Sequence, residues 1–84
     1  MLCLKKVEIR LSLAENVKTF VNIVNRYEFD MDLRAGRHVV DAKSILGIFS
    51  LDLSKPITLE VDDERNTDEA RMEQLMKDIG PFMA

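Results

Sequence analysis

Eighty-four residues make one domain, 1–84, with a thin core, since a chain this short buries only about 60–65% of the surface its unfolded form exposes. Apolar residues make up 46% of the chain and are spread along it, which excludes a disordered tail. A net charge of -3, no tryptophan and no basic stripe exclude the electrostatic footprint of a nucleic-acid or anionic-membrane binder.

One cysteine, Cys3, excludes an intramolecular disulfide framework, and without a second thiol or a histidine cluster nearby it argues against a zinc site. It reads as a small hydrophobe in the first strand. No segment approaches the ~18–20 continuous apolar residues of a membrane span. Met1-Leu2-Cys3-Leu4-Lys5-Lys6 lacks an apolar run of signal-peptide length, so a reducing cytoplasm is the expected compartment.

Cys3 to Leu11 places Val7, Ile9 and Leu11 on one side and Lys6, Glu8 and Arg10 on the other, a strand with one solvated face. The period then becomes helical. Val17, Phe20, Val21 and Val24 face inward and Asn16, Lys18, Asn22, Asn25 and Arg26 mainly outward, over about Leu13 to Arg26. Ser12-Leu13-Ala14-Glu15 has the form of a capping box, with the Ser12 hydroxyl accepting from the Glu15 amide and the Glu15 carboxylate reaching back to the Ser12 amide.

Tyr27, Phe29, Met31 and Leu33 alternate with Glu28, Asp30 and Asp32 as a second strand. Ala35-Gly36 is a turn, and Arg37 to Asp41 completes a hairpin. Ser44 to Leu51 is apolar on most sides, and its length leaves helix and strand both open. After Pro56, the residues Ile57, Leu59 and Val61 predict a further strand. Asn66 with Glu69 is a capping pattern for a last helix with inner face Ala70, Leu75, Met76 and Ile79, ended by Gly80-Pro81. The order β-α-β-β-α-β-α predicts an α+β open-faced sandwich, a four-stranded antiparallel sheet with three helices on one face and charged residues on the other.

Lys43-Ser44-Ile45-Leu46-Gly47-Ile48-Phe49-Ser50-Leu51, following the strand Arg37 to Asp41, resembles the central signature of the HPr phosphocarriers of the bacterial sugar phosphotransferase system. That signature is lysine-serine, an apolar pair, glycine, two more apolar residues, then serine-leucine. The element order and spacing agree with the family, so the resemblance extends over most of the chain, although only this stretch is specific. It implies an HPr-like fold, no enzymatic activity of the chain's own, no cofactor and protein partners from the phosphotransferase or regulatory systems, with neither nucleic acid nor membrane nor small-molecule substrate.

The loop before the first helix departs from the family. There the resemblance aligns glycine, an apolar residue, the phosphorylated histidine, alanine, arginine, proline and alanine with Leu11-Ser12-Leu13-Ala14-Glu15-Asn16-Val17. Leu13 stands in the histidine's place, Glu15 in the arginine's and Asn16 in the proline's. Leucine has no nucleophilic atom, and Glu15 puts negative charge where a phosphate calls for positive. The sole histidine, His38, lies in the central hairpin and reads as an ordinary strand histidine.

Ser44 matches the serine that a dedicated ATP-dependent kinase phosphorylates in many Gram-positive HPr proteins, beside its plain reading as a helix cap. Leu46 and Phe49 share one helical face, flanked by Ile45, and the resemblance implies that this patch docks protein partners. Ile45 and Ile48 read also as core. Asp62-Asp63-Glu64 with Asp68 and Glu69 lacks calcium-loop spacing and reads as an acidic solvated turn, so no metal is expected. The five methionines read as core filler.

Three functions follow: a regulatory or docking relative acting through the second-helix patch, with Ser44 as its modulation site; an active phosphocarrier in sugar uptake; or an HPr-fold module recruited to unrelated protein–protein interaction.

Overall fold

A computed structural model describes residues 4–62 and 69–84; Cys3, the Asn66 cap and the acidic residues Asp63, Glu64 and Asp68 lie outside them. Two-residue alternation produces β1 (Leu4–Ile9), β2 (Asp30–Ala35), β3 (His38–Asp41) and β4 (Ile57–Asp62). Their inward residues Ile9, Met31, Leu33, Ile57, Leu59 and Val61 are buried. Between them run α1 (Ala14–Val24) and the short α2 (Ile45–Phe49), followed by α3 (Glu69–Ile79) and a 3-10 turn over Gly80–Phe82.

The strands form one antiparallel sheet in the order β1-β4-β2-β3, with Leu59 of the central β4 facing Val7 on one side and Leu33 on the other. Helix α1 seats Val17, Phe20 and Val24, at i, i+3 and i+7, on the sheet's inner face, and α3 adds Leu75 and Ile79. Full burial of each such side chain stabilises the fold by about 1.5–3 kcal/mol. The result is the open-faced β-sandwich that the element order predicts.

The β2–β3 hairpin turns through Gly36-Arg37, with Gly36 at φ 61, a left-handed conformation that glycine adopts without a Cβ penalty. The other sheet edge is covered. Arg10 N donates to Phe82 O at 2.7 Å, Met83 bridges to Ile9, and Ala84 N donates to Glu8 O at 3.0 Å. The Phe82 ring meets Phe20 edge to face, centroids 6.0 Å apart.

Four expectations change. The second strand begins at Asp30 rather than Tyr27, because the Arg26 and Tyr27 amides still bond back to Ile23 O and Val24 O at the end of α1. Tyr27 and Phe29 are nonetheless buried, with ring planes 14° apart. Ala70 is exposed, since it falls off the stripe Met72, Leu75, Met76 and Ile79 that α3 turns inward. Residues 45–49 settle as helix.

The fourth is the Ser12–Glu15 capping box, which does not form. The helix starts one residue later, with Leu13 as its N-cap at φ -119, ψ 146 and no side-chain cap. Asn16 N and Val17 N bond back to Leu13 O at 3.0 and 3.2 Å. Complete burial of Leu11 and Val17 fixes the helix frame, and that outweighs a cap worth about 0.5–2 kcal/mol.

Candidate functional site

At the start of α1, Leu13 is 60% exposed and ends the extended segment that leaves β1. Leu13 gives the first turn no side-chain cap, so the helix end keeps its partial positive charge. Glu15, exposed in that turn, offsets it with a carboxylate. Among these residues there is a backbone that could accept an anion, a negative charge that opposes one, and no histidine.

The start of α2 is built differently. Asp41 Oδ1 accepts from Lys43 N at 2.9 Å and Asp41 O from Ser44 N at 3.1 Å, a tight turn out of β3. Lys43 Nζ donates to Tyr27 O at 2.8 Å, which ties the turn to the end of α1. Ser44, half-buried, is the N-cap, its Oγ accepting from Gly47 N at 3.3 Å. A Cβ on Gly47 would lie 3.3 Å from Val40 Cβ, so glycine here lets α2 lie close on β3. Ser50 Oγ closes the other end by donating to Gly47 O at 2.5 Å.

Five residues cannot hide an apolar circumference. Ile48 is fully buried and Ile45 packs half-buried against the core, while Leu46 at 80% and Phe49 at 45% exposure project outward. The helix therefore separates an anchor side from an apolar exposed side. His38 is exposed at the hairpin, and no group of histidine, cysteine and carboxylates able to hold a metal occurs among the described residues.

Two polar clusters had no clear sequence signal. Tyr27 donates its hydroxyl to Asp78 Oδ2 at 2.5 Å, and the Arg71 guanidinium lies 4.5 Å over the Tyr27 ring while donating to Arg26 O at 2.8 Å. Burial, then the bond to Asp78, raises the Tyr27 pKa, and the same bond lowers that of Asp78. On the outer sheet face, Glu60 is 8% exposed and accepts from Arg34 Nε at 3.2 Å and Nη2 at 3.3 Å, with Lys6 Nζ 3.8 Å away. The Arg34 hydrogen bond lowers the Glu60 pKa against the opposing effect of burial. Neighbouring Asp32 is pushed up by burial and by the charges of Asp41, Glu60 and Asp30.

The sequence matches a family model described as the PTS HPr component phosphorylation site over residues 7–79, a span that includes both helix starts. The fold is similar to that of a phosphocarrier protein HPr from Bacillus anthracis str. Ames, at TM-score 0.65 and 23% identity, covering 99% of this chain and 98% of that one. It is similar also to HPr-C-His from Thermoanaerobacter tengcongensis, at TM-score 0.61 and 25% identity, covering 93% and 96%. Comparison with curated proteins gave no significant match.

Proposed function

The chain belongs to the HPr family of the phosphotransferase system, and on that premise we propose that it is a regulatory or docking relative that relays no phosphate through a histidine. It meets cytoplasmic protein partners through Leu46 and Phe49 with Ile45 beside them, and Ser44 is where a kinase modulates that contact. The observation that supports this reading is the division of labour in α2, where Ile48 anchors the helix and Leu46 and Phe49 stand exposed. Leu13, at the start of α1, has no atom that could carry a phosphoryl group.

A phosphate on Ser44 adds about -1.5 to -2 charge directly beside the exposed patch, which is how modification alters docking. It would also meet the first-turn amides of α2, of which Gly47 N already donates to Ser44 Oγ, and the nearby carboxylate of Asp41, one favourable and one repulsive.

Intact mass after two incubations tests the reading. With phosphoenolpyruvate and enzyme I the protein gains no phosphate. With ATP and HPr kinase it gains one, and Ser44→Ala gains none. Phosphate uptake in the first reaction sinks the proposal in favour of an active carrier using His38; none in either favours an HPr-fold module doing unrelated work. Phe49→Ala weakens partner binding by about 5- to 30-fold, the range of a central aromatic contact, with an unchanged melting profile.

A further inference from the structure

Helix α1 has no basic residue in its last turn, and the carbonyls at its end draw cations from elsewhere in the chain. Arg71 of α3 donates to Arg26 O and Lys43 donates its ammonium to Tyr27 O, each at 2.8 Å. Asn25 Nδ2, at the same helix end, donates to Lys43 O at 3.5 Å, and Asp41 Oδ1 accepts from Lys43 N at 2.9 Å. The residue before Ser44 is thus held at its amide, its carbonyl and its ammonium. Its seat is firm, because Tyr27 is buried, with its hydroxyl on Asp78 and its ring under Arg71.

Ser44 needs such a brace. Helix α2 has five residues, far below the ~12–15 at which a helix stands alone, so its start is placed by what flanks it. Ile48 anchors the helix in the core, and Asp41 holds the turn from a strand position opposite Asp32, a carboxylate it repels. We propose that Lys43 is the positioning residue of Ser44, its ammonium on Tyr27 O setting where the serine hydroxyl stands. The proposal rests on Ser44 being the site a kinase modifies, and names what holds that site in place.

In that transfer Ser44 Oγ bonds the γ-phosphorus of ATP, the bond from that phosphorus to the departing ADP oxygen breaks, and the hydroxyl proton passes to a base of the kinase. A serine oxygen has two lone pairs. Gly47 N takes one at 3.3 Å, which fixes the direction in which the other points. Misplacing a reacting atom by about 1 Å costs a transfer as much as ~100-fold, so a lysine that acts only through the backbone still governs the rate.

Amide exchange on the full chain by NMR and steady-state kinetics with ATP and HPr kinase test this. Lys43→Met keeps the apolar stem and removes the donor. Its Gly47 amide exchanges about tenfold faster while the β4 amides keep their rates, and kcat/KM for phosphorylation falls about tenfold. The loss lies in kcat, since a lysine recognised directly by the kinase would raise KM instead. Lys43→Arg, which still donates to Tyr27 O, recovers most of both readouts. Lys55→Met makes the same charge change at an exposed lysine beyond α2 and alters neither. A Lys43→Met protein that matches wild type in either readout overturns the inference, as does faster exchange throughout the sheet, a loss confined to KM, or no recovery in Lys43→Arg. A wild type that takes no phosphate from ATP fails the kinase reading itself, and this role of Lys43 falls with it, so the two failures read differently.

Discussion

Helices α1 and α2 both start from an extended residue, Leu13 and Ser44, and are finished in opposite ways. At α2 the cap, the glycine and the packing agree, since the Gly47 amide that Ser44 accepts belongs to the residue whose missing Cβ lets the helix touch Val40. At α1 they disagree. Burial of Leu11 and Val17 fixes the frame, and the serine capable of capping lies one residue too early. A capping signal is used only where the core leaves the helix free to begin at it. The α2 region carries the stretch Lys43 to Leu51 that resembles the family signature, and the α1 region carries the exposed Leu13.

The largest contrast lies in apolar anchoring. Ile48→Ala, emptying a fully buried position under α2, costs about 2–5 kcal/mol. Leu13→Ala, at an exposed position, changes stability by no more than about 0.5 kcal/mol. Urea midpoints at constant slope measure both. A Leu13→Ala loss comparable to that of Ile48→Ala breaks the comparison, because Leu13 would then be an anchor.

The caps give the next contrast. Ser44→Ala loses a formed hydrogen bond and costs about 0.5–2 kcal/mol, whereas Ser12→Ala stays within about 0.5 kcal/mol. Leu13→Ser supplies the missing cap and stabilises by about 1 kcal/mol. These three are read from thermal or urea unfolding; a Ser12→Ala loss matching that of Ser44→Ala would show a working capping box in solution.

Local periodicity made most of the element order legible, because β1, β2, α1 and α3 each have one wet face and one dry face. Ile57, Leu59 and Val61 announced β4, and Val17, Phe20 and Val24 announced α1. Spatial adjacency carries no such local signature. Glu60 reads as an ordinary outward residue until β4 is known to be central, where Lys6 and Arg34 on both flanking strands enclose it. Tyr27 meets Asp78 across 51 residues of sequence, and the pairing of Met83 with Ile9 spans nearly the whole chain. At the candidate site, the residue types at Leu13 and Glu15 were visible in the sequence. The frame of α1, which decides what caps it, depends on core burial and was not.

The smallest expected effect separates caps from charge. The folded-state pKa of Asp32 is raised, first by burial and then by Asp41, Glu60 and Asp30, so the folded state holds that proton more tightly than the unfolded chain. The stabilisation linked to protonation is fully present below the unfolded pKa and is lost as pH rises through the folded one. At neutral pH the ionised carboxylate is therefore a net burden, and Asp32→Asn stabilises there, by less than about 1 kcal/mol because the group is exposed and screened. The gain shrinks as pH falls through the upper carboxylate range, where wild-type Asp32 takes up its proton, and it shrinks with added salt at neutral pH. Melting temperatures of variant and wild type, paired at each pH, read the difference. An equal gain at about pH 3 and about pH 7 would assign it to packing instead. Ser44→Ala, measured alongside, exchanges no titrating group and keeps its loss across the range, so a cap and a charge differ in the shape of their pH profiles even where their sizes are alike.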